Sequence, residues 1–140
     1  MKTLKKLPQI LIVASIIYFS SCAKTDPLTP DTGNTRDNLV AQWSCTENSK
    51  SGGNTTFAVN ITKSTSNSTQ VLMDNFYNLG TANKAIIDVS GSTLIIPSQP
   101  PLLGNNILGT GTFVSSHQIN LAYTVNNGAS IDSCTAILTK

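Results

Sequence analysis

Leu39-Val40-Ala41-Gln42-Trp43-Ser44-Cys45 and, beyond the turn Asn48-Ser49-Lys50-Ser51-Gly52-Gly53-Asn54, the run Phe57-Ala58-Val59-Asn60-Ile61-Thr62 decide the fold. Leu39, Ala41, Trp43 and Cys45 alternate with Val40, Gln42 and Ser44. Phe57, Val59 and Ile61 alternate in the same way with Ala58, Asn60 and Thr62. Successive side chains of a strand point to opposite faces, so a period of two sends one set inward and the other outward. Two such runs joined by a glycine-bearing turn read as a hairpin. The pattern recurs in Gln70 to Phe76, Lys84 to Val89, Ser92 to Ile96, Ile107 to Val114, Gln118 to Val125 and Ser130 to Thr139. Asn78-Leu79-Gly80, Ser90-Gly91 and Asn126-Asn127-Gly128 supply turns between these runs, and Pro97, Pro100 and Pro101 stop the pairing after the fifth. The expectation is an all-β domain of eight short antiparallel strands. Hairpin connections close most economically into an up-and-down barrel, which has no free edge, with a two-sheet sandwich as the alternative.

Composition agrees with strands. Ser, Thr and Asn make up 48 of the 140 residues, against one His, one Trp and 11% charged residues. Threonine suits the pleated surface, and asparagine and serine suit turns.

Ahead of the strands, Met1 to Lys6 is positively charged and Leu7 to Phe19 is apolar, the n- and h-regions of an export signal and too short to span a bilayer. Small residues then run into a cysteine, Phe19-Ser20-Ser21-Cys22. This stretch resembles the lipobox of bacterial lipoproteins, although Phe19 stands where that motif usually has Leu. The resemblance implies removal of residues 1–21, acylation of Cys22 and anchoring by several buried acyl chains at roughly 0.8 kcal/mol per methylene. Ala23 after the anchor favours the outer membrane over retention in the inner one. Residues 22–38 hold Pro27 and Pro30 and almost nothing apolar, so they read as a flexible tether, with the β domain spanning 39–140. The expected partner is thus the membrane, reached through the lipid.

Without the signal, six cations face seven acids. Six scattered cations cannot build the basic face that a nucleic acid requires, so nucleic acid is excluded as a partner. Cys45 and Cys134 then remain on the first and last strands of an exported chain, and they have one possible pairing. A disulfide there would lock the seam of a barrel.

Catalytic signatures are missing. His117, in Ser115-Ser116-His117, reads as a solvated turn residue, because adjacent residues on a tight turn do not ordinarily set hydroxyl and imidazole in hydrogen-bond geometry. No metal spacing exists, and no cofactor or metal is expected. Asp74, Asp88 and Asp132 would support a hydrolase only if folding brought two of them together. Gly109-Thr110-Gly111 lacks the strand-to-helix setting of a phosphate loop and reads as a bend or a close crossing.

Two stretches offer recognition chemistry. Asp74 to Gly80 mixes Phe76 and Tyr77 with hydrogen-bonding side chains, and the loop Pro97 to Gly104 carries Leu102 and Leu103, as a plug or as a contact patch. Trp43, in Ala41-Gln42-Trp43, resembles the Gly-x-Trp that opens the lipocalin and avidin-like barrels; Ala replaces Gly, and the lipocalin arginine has no counterpart, since Arg36 falls in the tether. That resemblance implies architecture and carries no ligand across. The chain is read as a non-catalytic binding or surface-interaction module with Phe76, Tyr77, Leu102 and Leu103 as candidate contacts, the alternative being a carrier of a small apolar ligand.

Overall fold

The computed structural model describes residues 32–140; the signal stretch, Cys22 and the tether up to residue 31 lie outside the described residues. A short helix α1 (Thr32–Leu39) leads into β1 (Ala41–Ser49), β2 (Gly53–Lys63), β3 (Gln70–Asp74), a 3-10 turn (Phe76–Asn78), β4 (Lys84–Ser90), β5 (Thr93–Ile96), β6 (Asn106–Ser115), β7 (Gln118–Asn126) and β8 (Ile131–Thr139). Each strand pairs antiparallel with the next, and β8 returns to β1 from Ser44↔Thr139 to Ser49↔Cys134. The ring is closed with eight strands, and the sandwich alternative falls away.

The alternation in the sequence becomes the alternation of the wall. Trp43, Val59, Ile61, Val71, Met73, Ile87, Leu94, Ile96, Ile107, Ile119 and Leu138 point inward and are buried. An eight-strand barrel is just wide enough for its own side chains to fill. Each of these large apolar groups contributes about 1.5–3 kcal/mol by leaving water. Gly109 and Gly111 lie in register with Tyr123 and Leu121, and a Cβ at either glycine would collide with that partner. The bare backbone lets β7 close tightly on β6, the close crossing expected of Gly109-Thr110-Gly111.

Strand directions give the barrel two unlike ends. The floor collects α1, the β2–β3 loop, the β4–β5 and β6–β7 turns and the C-terminus. The mouth collects the β1–β2 turn, the segment 75–83, the loop 97–105 and the β7–β8 turn.

Several expectations are corrected here. Residues 32–38 belong to α1 and not to a tether. So short and polar a helix is marginal by itself, and docking holds it. Leu39 is fully buried, the Trp43 indole donates to Leu39 O at 2.8 Å, and Arg36 donates to Gln70 O at 2.9 Å and Ser64 O at 2.6 Å. Lys140 Nζ stands 4.3 Å from the Trp43 ring centroid and donates to Asn38 O at 2.8 Å, which ties the C-terminus to the same end.

The expected disulfide is absent, and Cys45 and Cys134 are buried free thiols. The register explains it. Cys45 lies opposite Leu138 and Cys134 opposite Ser49, four residues apart along the seam or about 13 Å, far past the roughly 7 Å that a disulfide spans between Cα atoms. Burial pushes both thiols up to about 12, with nearby Glu47 adding to the effect on each, so they stay protonated and inert.

Candidate functional site at the barrel mouth

The inward positions of β1 continue past Trp43 and Cys45 to Glu47 and Ser49, and β8 brings Asp132 and Cys134 beside them. All are buried. Apolar packing therefore gives way to a polar cluster at the mouth. Asp132 accepts hydrogen bonds from the Ser49 hydroxyl, from the Ser51 backbone N–H at 3.0 Å and from the Tyr77 hydroxyl at 2.8 Å. Glu47 accepts one from the Tyr123 hydroxyl. Among the described residues no buried side-chain polar atom lacks a partner.

The two carboxylates experience opposite environments. Burial works to raise the pKa of Asp132, but the donors from Ser49, Ser51 and Tyr77 outweigh it and hold the group well below the usual carboxylate range. Glu47 is raised, chiefly by burial and further by the charge of Asp132, against the lowering effect of the Tyr123 bond. Burial and then the Glu47 bond push Tyr123 far above an ordinary phenol, and Tyr77 is raised by burial and by Asp132. Asp132 is accordingly ionised across the physiological range, and both tyrosines stay protonated as donors.

Tyr77 reaches Asp132 from an unusual backbone. It sits at φ 54°, ψ 30° inside the turn Phe76–Asn78, between Asn75 at φ 50° and Asn78 at φ 55°. Asparagine tolerates this left-handed region, whereas a bulky tyrosine is strained there, and such strain gathers at functional positions. Surrounding bonds hold the turn: Asn75 Nδ2 donates to Ala58 O at 2.7 Å, the Gly80 N–H donates to Asn75 Oδ1 at 2.8 Å, and Phe76 packs against Tyr123 with ring centroids 4.6 Å apart. The result is a partly open cleft of about 220 Å³ lined by Glu47, Ser49, Gly52, Thr55, Tyr77 and Asn78. A second concavity, about 680 Å³, runs over the outside of the wall past Ile95, Leu108, Ala122, Thr124 and Thr135.

The candidate contacts separate. Tyr77 lines the cleft, but Phe76 is buried in the core because the turn folds it onto Tyr123. Leu102 is buried too, pinned by reciprocal backbone bonds with Asn105 at 2.9 Å, so it closes the loop down on the mouth and offers no surface. Leu103 is 62% exposed. Asp74, Asp88 and Asp132 do not converge: Asp74 accepts from Asn60 N–H at 2.8 Å, Asp88 from Gln70 Nε2 at 2.8 Å, and Asp132 lies in the mouth cluster. Against expectation, Ser116 Oγ and His117 Nδ1 do come within 2.9 Å, on an exposed turn at the floor. Glu47, Ser49 and Thr55 were not singled out from sequence. For Glu47 and Ser49 the signal was present in the alternation Trp43, Cys45, Glu47, Ser49, which continues the inward face into polar residues, and Thr55 extends Ile61, Val59 and Phe57 in the same way on the neighbouring strand.

No protein-family model matches the chain, and no curated protein matches it in sequence. Solved structures do resemble it. A redesigned β-barrel superposes with a TM-score of 0.55 at 16% identity, over 76% of this chain and 94% of its own. EF1p2_mFAP2b bound to DFHBI superposes with a TM-score of 0.56 at 14% identity, over 78% of this chain and 98% of its own. Identities this low establish a shared small-barrel fold.

Proposed function

We propose that this chain is a lipid-anchored, non-catalytic binding module that takes a small polar ligand in the cleft at its mouth. The observation that carries the reading is Tyr77, held in left-handed backbone and hydrogen-bonded to Asp132 so that it lines a cleft with Glu47, Ser49, Thr55 and Asn78. Hydroxyl, amide, carboxylate and aromatic groups converging on one concavity are what orients a small molecule. The volume is below the roughly 300–1,000 Å³ of drug-sized sites, so the ligand is a small molecule or one end of a longer one. An apolar cargo inside the barrel fits less well, because the interior is occupied by Trp43, Ile61, Ile87, Ile119 and Leu138. The barrel of EF1p2_mFAP2b, which holds DFHBI, supports the idea that a fold of this size can serve a ligand.

The anchor part of the reading rests on the lipobox-like Phe19-Ser20-Ser21-Cys22, and we place the protein at the outer membrane. Since α1 joins β1 at the floor, the described chain begins at the end opposite the cleft. A lipid attached upstream would then leave the mouth facing away from the bilayer. Metabolic labelling with a fatty acid should mark the wild type and not Cys22→Ala; equal absence of label in both would refute the anchor. For the cleft, a panel of small polyols and amines should include at least one that saturably raises the melting temperature. Thr55→Trp, which fills the cleft from an exposed position, should remove that shift. A shift that survives Thr55→Trp would move the site elsewhere.

A further inference from the structure

The buried charges at the mouth are of one sign. Glu47 and Asp132 are both buried there, and no cation lines the cleft. The cations of this end, Lys50 and Lys84, are exposed, and neither comes within ion-pair distance of Glu47 or Asp132. The ion pair among the described residues, Lys63 with Asp37, belongs to the floor. Asp132 is compensated by four donors, from Ser49, the Ser51 N–H, Tyr77 and the Cys134 thiol, whereas Glu47 has a single phenol and forms part of the cleft wall. Buried carboxylates are ordinarily paired or fully hydrogen-bonded.

From this geometry we infer that the cleft is built for a small alkylammonium group, which would set its positive charge against Glu47 while Ser49, Thr55 and Asn78 accept its N–H donors and Tyr77 offers its ring and hydroxyl. The inference rests on the reading of the cleft as a ligand site and names the ligand's class. A neutral polyol would satisfy the hydroxyls and the amide but leave the buried negative charge uncompensated. An anion would face Glu47 in the cleft wall, with the nearby charge of Asp132 adding to the repulsion. An aromatic wall beside a carboxylate is suited to an ammonium, because the ring's negative face adds to the attraction. The groups that set the charge of Glu47 are Cys45 on its own strand, Tyr123 on β7, and Asp132 and Cys134 on β8. With both thiols and the phenol protonated, Asp132 is the one charged neighbour, and a cation relieves the repulsion it exerts.

Isothermal titration of the full chain in detergent, at ionic strength held constant with sodium chloride, distinguishes the possibilities. The probes are ethylammonium chloride and its neutral isostere ethanol. Ethylammonium should bind about tenfold or more tightly than ethanol, and Glu47→Gln should remove that advantage while keeping an acceptor for Tyr123. Affinity should fall as the pH drops and Glu47 takes up a proton. Thr55→Lys, which places an ammonium over the cleft from an exposed site, should abolish binding without disturbing the buried cluster. If ethanol binds as well as ethylammonium and Thr55→Lys removes both, the cation preference is overturned and the cleft reading survives. If neither probe binds, or if ethylammonium binds undiminished in Thr55→Lys, both are overturned.

Discussion

The floor and the mouth of this barrel solve the same problem with opposite charges. At the floor, the cations Arg36 and Lys140 bind neutral backbone carbonyls and the Trp43 ring, and a helix covers the end. At the mouth, the carboxylates Glu47 and Asp132 bind neutral hydroxyls, and the turn Phe76–Asn78 and the loop 97–105 pack over this end in place of a helix. Donors and acceptors are satisfied at both ends. Charge is exposed and screened at the floor, where Lys140 is on the surface, but is buried at the mouth. The floor is thus built for stability. The mouth combines buried charge with the left-handed backbone of Tyr77, the two features on which the proposed site rests.

The comparison can be broken from either end. The largest effect is expected at the floor: Trp43→Ala removes the largest buried side chain together with its bond to Leu39 O, and should lower unfolding stability by about 3–5 kcal/mol in urea melts. At the mouth, Asp132→Ala strands the Ser49, Ser51 and Tyr77 donors and should lower it by about 2–3 kcal/mol. A loss below half a kilocalorie would mean that the polar cluster is dispensable. The loop 97–105 gives a built-in contrast. Leu102→Ser should destabilise by about 2 kcal/mol or more, whereas Leu103→Ser should stay within about 0.5 kcal/mol.

The smallest effect is the most informative about charge. Glu47 titrates higher folded than unfolded, so on this count stability should rise as the pH falls through its raised folded-state value toward the ordinary glutamate range. Asp132 titrates lower folded than unfolded, so its contribution is present above about pH 4 and disappears on further acidification. The wild-type stability curve should therefore pass through a maximum on the acid side of neutrality, and Glu47→Gln should flatten the rise between neutrality and that maximum. A Glu47→Gln curve that still rises there would assign the effect to another group.

Much of the wall was legible because period-two alternation acts locally: every expected strand from the Trp43 run to Ser130–Thr139 formed, and closure followed from the short turns. What escaped depended on register and docking. Cys45 and Cys134 sit on neighbouring strands as expected, but pairing needs the stagger between β1 and β8, which no single strand encodes. α1 was missed because its sequence is polar and its stability comes from Arg36 reaching carbonyls roughly thirty residues away. In the stretch Asp74 to Gly80 the aromatic pair was visible, yet a left-handed turn sends Phe76 inward and Tyr77 to the cleft, and tyrosine does not advertise that conformation. Glu47 was readable by extending the alternation from Trp43, had the polar residue been kept on the inward face.

The claim that the mouth is the working end is tested most directly by mapping backbone amide shifts on isotopically labelled protein during a titration with ethylammonium chloride. The account expects saturable shifts confined to the amides of Glu47, Ser49, Gly52, Thr55, Tyr77 and Asn78. Saturable shifts centred instead on Trp43 and α1, or on Ile87 and Ile119 within the barrel, would contradict it.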